Sequence, residues 1–404
     1  MYSQRVIARS IDRFAEKGIQ LTRHDVGRCD EMTEALKTAF DDDGKPIRSL
    51  KAEEKQFIIN ESLLTQIDYH YWKARYAIIE LDGVEGGGIG HPKPWKSQEI
   101  LLDIIAKLQE QQTEAFERGE PVDGILIADH KARQVGHTEE ARMLMCHRNT
   151  RFENQRCAAI SVDEEKVGEL YRRDKGLYDN LPVWLKPGLK FDVKNGHLEW
   201  STGSRVEYFQ SNKQSSLGQG KQFDFGHATE LSEYIYPDRM DIDFFPTLPQ
   251  NPNTLCILES RANGRGNWWH HFSEKVRKGR KERWTYCFVP WYAEPKKYRR
   301  QPPAMWQPSE VALLHAKRVY ETSPEFLGKT AVLSPEQLYW WESTRKEYAE
   351  DGKLNLFLTN YCETPESSFQ HTNVAAFSPE NLEWMRLTAD AGGVPFEFEP
   401  VRVN

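Results

Sequence analysis

The sequence lacks long apolar runs and paired cysteines. No segment reaches the roughly 18 consecutive apolar residues that a membrane-spanning helix requires, so we expect no such helix. The N-terminus, Met1–Ser10, has no apolar stretch typical of a signal peptide. The six cysteines are far apart and include no C-x-x-C pair. That spacing argues against a structural zinc site and predicts the reduced thiols of a cytosolic protein.

The composition also lacks a basic excess. With 54 lysines and arginines against 61 aspartates and glutamates, the formal net charge is −7. The overall surface therefore does not attract nucleic acid, and any DNA contact must be a local patch or loop. Hydrophobic residues make up 39% and charged residues 28% of the 404 residues, which predicts a soluble globular protein with two or three domains.

The most informative stretch is Gly124–Thr138, which reads GILIADHKARQVGHT. A short apolar run leads into a tight turn, and the following residues predict a helix over Glu139–His147. A strand, a glycine turn and a helix N-terminus present unpaired backbone N–H groups, which bind anions such as phosphate. The common phosphate loop is G-x-x-x-x-G-K-[ST], but here His137 replaces its lysine and Lys131 replaces its first glycine. The positive charge would then come from the start of the loop. A plain strand–turn–helix without a ligand explains the same pattern.

Three motifs, in this order, resemble those of large terminase subunits of tailed bacteriophages. Residues 131–138, KARQVGHT, are similar to the family's deviant Walker A loop, K-x-x-[RQ]-x-G-x-[ST]. Residues 223–230, FDFGHATE, are similar to its degenerate Walker B strand, which ends in [ST]-E. Residues 254–264, TLCILESRANG, resemble its coupling motif, E-S-T-x-N-G, although Arg261 stands where threonine or alanine is usual. The resemblance extends over residues 90–375.

The resemblance implies an α/β fold: a P-loop NTPase with a mainly parallel sheet, helices on both faces and nucleotide at the C-terminal ends of the strands. Three regions are expected: a variable N-terminal helical segment over residues 1–60, the ATPase core over 61–300, and a helical subdomain with a linker over 301–404. The full family carries a C-terminal nuclease with clustered acidic residues. Because no D-x-D motif follows residue 300, nuclease activity is not expected in this chain. Either the sequence is truncated or the nuclease is another polypeptide.

The resemblance also implies which residues bind ATP. Gln98 lies in the first turn of a helix that Ser97 is predicted to cap, and it would read the adenine edge, since an amide both donates and accepts. A solvated surface glutamine is the alternative. His137 would contribute its backbone N–H, because histidine is largely neutral at pH 7. The expected ATP-binding residues are Gln98, Lys131, Ala132, Arg133, Gln134, Val135, Gly136, His137 and Thr138.

Three side chains are expected to serve the hydrolysis of ATP. Lys131 would hold phosphate. Glu230, at the end of the Walker B-like strand, would deprotonate the attacking water, with Glu233 as its rival. Arg133 would stabilise the charge that develops on the transferred phosphoryl group, or would form a salt bridge that holds the loop.

Metal and coupling residues follow from the same resemblance. Thr229 stands where an aspartate usually precedes the glutamate, so Mg²⁺ would depend on Thr138, phosphates and waters, with Glu230 as the second metal residue. Thr229 itself would contact the ligands of the ion and not the ion. The coupling residues, which would sense the γ-phosphate and transmit its presence to a neighbouring domain, are Ser260, Asn263 and Gly264.

The function that the resemblance implies is an ATP-driven motor that moves double-stranded DNA into a procapsid, with ATP and Mg²⁺ as cofactors. Its expected partners are DNA, the portal protein and the small terminase subunit. A homo-oligomeric ring would form on the portal, whereas the isolated domain would be a monomer. The expected location is the host cytoplasm and transiently the procapsid, without a membrane. The alternatives are another P-loop DNA translocase or helicase-like ATPase, and a catalytically weak nucleotide-binding scaffold.

Three further stretches have local interpretations. Gly83–Gly90 is rich in glycine, but no lysine or helix start follows it at once, so we interpret it as a flexible loop and not as a phosphate site. Apolar residues alternate on both sides of Asn195-Gly196, which predicts a β-hairpin. The basic run Lys275–Arg283 is interpreted either as a DNA contact or as a solvated connection between a helix and a strand.

Overall fold

The computed structural model describes residues 3–42, 44–194 and 196–369. The chain divides into two compact units, Met1–Ala262 with Gly266–Val289, and Asn263–Arg265 with Pro290–Asn404. Residues 1–60 therefore fall within the first unit, together with the three motifs up to Ala262. The last part of the predicted helical subdomain, residues 370–404, lies outside the described residues.

The described part of the chain contains both helices and strands. The helices are α1 (Gln4–Glu16), α2 (Val26–Lys37), α3 (Ala52–Ile67), α4 (Tyr69–Tyr76), α5 (Lys96–Glu117), α6 (His137–Arg151), α7 (Glu164–Asp179), α8 (Trp268–Arg277), α9 (Glu310–Leu327), α10 (Pro335–Glu350), α11 (Leu354–Asn360) and α12 (Pro365–Ser368). The strands are β1 (Ile79–Glu80), β2 (Ile89–Gly90), β3 (Ile125–Lys131), β4 (Arg156–Ser161), β5 (Leu189–Val193), β6 (His197–Trp200), β7 (Arg205–Gln210), β8 (Phe225–Thr229), β9 (Leu255–Ser260) and β10 (Trp284–Val289). Among these helices, none combines the length and the apolar composition needed to cross a bilayer.

The first unit is built on one sheet of eight strands in the order β10-β3-β9-β8-β4-β7-β6-β5. The strands from β10 to β7 pair in parallel, and β6 and β5 extend the sheet as an antiparallel edge. Strands β8 and β9 are buried along their whole length, so both faces of the sheet are covered there. The predicted mainly parallel α/β architecture is confirmed.

Two local predictions concern turns. Strands β5 and β6 pair antiparallel, with Val193 opposite His197, so the hairpin predicted around Asn195-Gly196 is present, although Asn195 itself lies outside the described residues. The glycine-rich stretch before α5 forms a short 3-10 turn and then strand β2, which pairs antiparallel with β1.

Two helix boundaries differ from the prediction. Helix α5 begins at Lys96 after Trp95, so Ser97 lies inside the first turn and does not cap the helix. Its hydroxyl instead donates to the carbonyl of Val135, 2.7 Å away. Helix α6 begins at His137 and ends at Arg151, which is longer at both ends than predicted. The earlier start follows from the turn that immediately precedes it.

In the second unit, the described residues form helices α9 to α12. Helix α10 has the N-terminal box of the type S-P-E-Q, in which Ser334 and Gln337 each bond to the other's backbone N–H group. The interior of this unit contains stacked rings. His315 stacks on Trp341 with ring centroids 3.8 Å apart, and Nδ1 of His315 lies 2.7 Å from the buried Glu363 carboxylate.

Candidate nucleotide-binding site

Strands β3, β9 and β8 end side by side at one edge of the sheet. Glu259 is in register with Asp129 on β3 and with Thr229 on β8. Because the carboxyl ends of parallel strands meet at the same edge, residues from all three motifs converge there. They line a cleft with a cavity volume of about 660 Å³. The cleft brings together Lys131, Gly136, Thr138, Glu230, Glu259 and Ser260.

The turn between β3 and α6 requires its glycine. Gly136 has a φ of 78°, in the left-handed region that glycine adopts without steric cost. A Cβ atom at this position would lie 2.9 Å from Nε2 of Gln98 and 3.2 Å from the Trp95 ring. Gln134, two residues earlier, is exposed and also has a positive φ of 53°. Two left-handed residues reverse the chain within one short loop, and helix α6 can then begin at once.

Three hydrogen bonds anchor this loop to its surroundings. The Ala132 N–H donates to the carbonyl of Val289 at 2.8 Å. This N–H group was predicted to bind phosphate, but it is already hydrogen-bonded within the protein. Ser97 donates to the carbonyl of Val135 at 2.7 Å, and Val135 is fully buried. Gln98 Nε2 donates to the carbonyl of Gly136 at 3.0 Å. These three bonds connect the loop to α5 and to the end of β10.

Lys131 lies at the start of the loop and lines the cleft. Its Nζ atom is 3.1 Å from Oε2 of Glu259, and its side chain is 14% exposed. Burial opposes the charged form, but the carboxylates of Glu259, Asp129 and Glu230 more than compensate, so the pKa of Lys131 is raised above its ordinary value. The cleft therefore contains a permanent ammonium group next to a carboxylate.

Glu259 contacts several residues of this site. It lies in the coupling motif, but the sequence assigned it no role. It is fully buried, its Oε1 lies 3.0 Å from Nε2 of His227, and its Oε2 lies 3.1 Å from Nζ of Lys131. Burial disfavours the charged form, but Lys131, His227 and Thr138 hold the pKa of Glu259 far below its usual range. One signal was available in the sequence: an acidic residue at the end of an apolar strand must find a partner when it is buried.

Glu230 follows β8 directly and has a φ of 60°, which is a strained backbone for a residue other than glycine. Its N–H donates to the carbonyl of Glu259 at 2.9 Å, which locks this conformation. Its Oε2 is buried and makes no hydrogen bond within the described part of the chain. Burial, followed by the nearby charge of Glu233, raises the pKa of Glu230 above its ordinary value. A strained, half-buried carboxyl group with a raised pKa is suited to accept a proton near neutral pH.

The rival carboxylate and the coupling residues lie beyond Glu230. Glu233 forms an ion pair with Arg261. The Ser260 hydroxyl accepts from the Ser232 N–H at 3.0 Å and donates to the carbonyl of Arg261 at 2.8 Å. It therefore links β9 to the segment after β8. Ser260 belongs to the first compact unit, whereas Asn263 and Gly264 belong to the second.

His137 differs from the sequence-based expectation. Its buried ring lies between two acceptors: Nδ1 is 2.7 Å from the Asp129 carboxylate, and Nε2 is 2.7 Å from the carbonyl of Ser97. Both ring nitrogens must therefore donate, which requires the imidazolium form. Burial opposes that charge, but the Asp129 carboxylate outweighs it and raises the pKa of His137. The expectation of a largely neutral imidazole is wrong, because Asp129 on β3 and the carbonyl of Ser97 both accept hydrogen bonds from the ring.

Gln98 also has protein partners at both ends of its amide. In addition to the bond to Gly136, its Oε1 accepts from Nζ of Lys73 at 3.3 Å. Lys73 in turn forms a buried ion pair with Glu140 on α6. The amide thus joins α4, α5 and the loop, while the residue still lines the cleft.

The cleft has further cations. Arg133 is exposed and lines it, as do Lys166 and Arg173 of α7, which the sequence analysis did not single out. Arg173 forms an ion pair with Glu139 in the first turn of α6, at 2.7 Å. A triphosphate is highly anionic, so several cations around one cavity suit such a ligand.

The last feature of the cleft is its set of possible metal ligands. Within the described residues, no group of three or more histidine, cysteine, aspartate or glutamate side chains is arranged to hold a metal ion. The cleft does provide oxygen donors from Thr138, Glu230 and Glu259. Mg²⁺ prefers oxygen ligands and commonly takes one or two from protein, with phosphates and waters completing its shell. The residues present therefore fit Mg²⁺ bound together with a nucleotide.

Comparison with known proteins adds two solved structures. No protein-family model matches the chain, and no curated protein is significantly similar to it in sequence. The chain is similar to the large terminase ATPase domain of Thermus phage P74-26, with 12% identity and a TM-score of 0.39 over 59% of this chain and 87% of that one. It is also similar to the large terminase of bacteriophage HK97, with 12% identity and a TM-score of 0.46 over 73% of this chain and 54% of that one. Both are phage large terminases or their ATPase domains, which is the family that the three sequence motifs resemble.

Proposed function

We propose that this chain is the ATPase motor domain of a viral terminase large subunit, which hydrolyses ATP to move double-stranded DNA into a procapsid. The observation that supports this best is the cleft at the sheet edge. There, the Lys131 ammonium group, the Thr138 hydroxyl at a helix N-terminus, and the carboxyl groups of Glu230 and Glu259 line a cavity of about 660 Å³. That combination suits phosphoryl transfer, in which positioning and charge stabilisation do most of the work.

In this proposal, Lys131 and the first N–H groups of α6 hold the phosphates. Thr138 binds Mg²⁺, which neutralises phosphate charge when it is bound. Glu230 orients the attacking water and accepts its proton at Oε2, the atom with no hydrogen bond in the described structure. Arg133, or an arginine from a neighbouring subunit, stabilises the charge that develops. Ser260, Asn263 and Gly264 couple the state of the nucleotide to movement.

The basic run that begins in α8 is paired with acidic side chains. Arg277 and Lys278 both pair with Glu274, at 2.9 and 2.8 Å, and Arg283 pairs with Asp123 at 2.7 Å. Those ion pairs favour the solvated connection over a DNA contact. Portal protein, small subunit and a ring of identical chains belong to the proposal as partners, with the host cytoplasm and the procapsid as the location.

The proposal is tested by the rate of phosphate release from ATP, with and without double-stranded DNA and portal. Wild-type protein should hydrolyse ATP, and Lys131→Ala should abolish hydrolysis. Lys96→Ala is the control, because Lys96 pairs with Glu99 on the surface of α5, and it should leave the rate unchanged. A wild-type protein that does not hydrolyse ATP under any of these conditions would refute the motor.

A nucleotide-binding scaffold is the second candidate, and one contact favours it. Lys131 already has Glu259 as a partner at 3.1 Å, so phosphate must compete with a carboxylate for the ammonium group. Binding of ATP without turnover, in the presence of DNA and portal, would support the scaffold.

A further inference from the structure

Strand β8 ends at Thr229, so it provides no carboxylate for a metal ion at that position. Thr229 stands where a carboxylate usually supports the metal ion of an ATPase of this kind, and a hydroxyl is a weaker magnesium ligand than a carboxylate. We propose that Glu259, on the neighbouring strand, is the carboxylate that holds Mg²⁺ together with Thr138. This assignment rests on the proposed nucleotide site and identifies the residue that completes it.

The register of the sheet supports the assignment. Thr229 and Glu259 are direct partners in the parallel pairing of β8 with β9, so they lie at the same level of the sheet edge. Glu259 is one strand closer to β3, from which the phosphate loop begins. A carboxylate on β9 instead of β8 therefore still lies next to the phosphate loop. Thr138 lines the same cleft, so both side chains that would share the ion face one cavity.

The charges around Glu259 support it as well. A fully buried carboxylate beside a lysine and a histidine is weak evidence for a role in stability, because removing charges from water carries a desolvation penalty that opposes their attraction. In the structure, Lys131 neutralises this carboxylate at 3.1 Å. If Lys131 turned to a triphosphate, Glu259 would lose its cation, and the divalent ion of a magnesium nucleotide would replace it. Lys131 and Mg²⁺ would then be successive partners of the same carboxylate.

In this assignment, Glu230 and Glu259 have different roles. Glu230 has an unbonded Oε2 and is suited to the attacking water. Glu259 has Oε1 beside His227 and Oε2 3.1 Å from Lys131 at the start of the loop, so it is placed for an ion that is bound with the phosphates.

The experiment measures how strongly Mg²⁺ improves binding of the non-hydrolysable analogue AMP-PNP, by calorimetry in Mg²⁺ and in EDTA. For wild-type protein, Mg²⁺ should tighten binding. For Glu259→Gln, that gain should fall by roughly 10-fold or more, which is typical for the loss of a metal-supporting carboxylate. The affinity in EDTA should not weaken, because a negative charge near the phosphates has been removed. A damaged fold would instead weaken binding in both conditions.

Glu61→Gln is the matched control. Glu61 is fully buried and accepts from the hydroxyls of Tyr76 at 2.6 Å and Tyr71 at 3.1 Å, away from the cleft. It should keep the full magnesium gain. A full gain in Glu259→Gln would overturn the assignment. No binding by wild-type protein in either condition would overturn the nucleotide site itself.

A second measurement uses wild-type protein, in case Glu259→Gln does not fold. Fe²⁺ replaces Mg²⁺ in the AMP-PNP complex, and ascorbate with peroxide then cleaves the backbone next to the bound iron. Mass spectrometry should locate the cuts beside Thr138 and Glu259. Cuts beside Thr138 and Thr229, without any at Glu259, would overturn the assignment.

Discussion

Replacing Gln98 with alanine distinguishes two possible roles of its amide: binding adenine and holding the phosphate loop in place. The sequence resemblance implies that its amide reads adenine. In the structure, the amide donates to the carbonyl of Gly136 at 3.0 Å and accepts from Lys73 at 3.3 Å. Both bonds are lost in Gln98→Ala, and the part-buried carbonyl of Gly136 is left without this donor. Such a loss costs about 1–3 kcal/mol.

If that cost appears in phosphate binding, affinity should fall by roughly 5- to 150-fold. The assay compares ATP with inorganic tripolyphosphate, which has the phosphates but no base. We expect Gln98→Ala to weaken both ligands by the same factor, because the loop that holds phosphate loses its anchor. Weaker ATP binding with unchanged tripolyphosphate binding would refute this reasoning and restore Gln98 as a reader of adenine.

Gln66→Ala is the control for a lost amide bond elsewhere. The half-buried Gln66 donates to the carbonyl of Arg151 at 3.1 Å, outside the cleft. We expect this variant to lower the melting temperature, as Gln98→Ala does, but to leave the affinity for both ligands unchanged.

Three further predictions concern the same edge of the sheet. Gly136→Ala should cost about 1–2 kcal/mol for the left-handed backbone and more for its contact with Gln98, and should abolish ATP binding. Gly119→Ala shares the positive φ but has open space around its Cβ, so it should lower the melting temperature without changing ATP affinity. Because the pKa of His137 is raised in the folded state, its stabilising effect is complete below the ordinary pKa of about 6.5 and is lost as pH rises through the folded value. Urea unfolding from pH 6 to pH 9 should therefore show decreasing stability, and His137→Gln should flatten that slope; a rising slope in wild-type protein would contradict it. Glu230→Gln should lower the ATPase rate about 100-fold or more while ATP still binds, and Glu233→Gln should change it far less; the reverse order would assign the base to Glu233.

Local patterns were enough to predict several elements of this protein. The apolar run before Lys131, the glycine at 136 and the polar residues after it predicted a strand, a turn and a helix, and the structure has all three. The alternation on both sides of Asn195-Gly196 predicted the hairpin. These signals involve residues close together in the chain, so backbone sterics and hydrophobic period are sufficient to interpret them. The mainly parallel sheet followed from the family resemblance.

Only the tertiary structure decided which side chains share the site. Lys131 meets Glu259 because β9 lies between β3 and β8, an order that no local pattern specifies. His137 is charged because Asp129 and the carbonyl of Ser97 face its two nitrogens, although histidine alone would be largely neutral. A pKa and an ion pair depend on burial and on distances between segments far apart in sequence. The sequence by itself therefore determined the loop and its elements, and the packing of the sheet determined the charge and the partners of each group in the cleft.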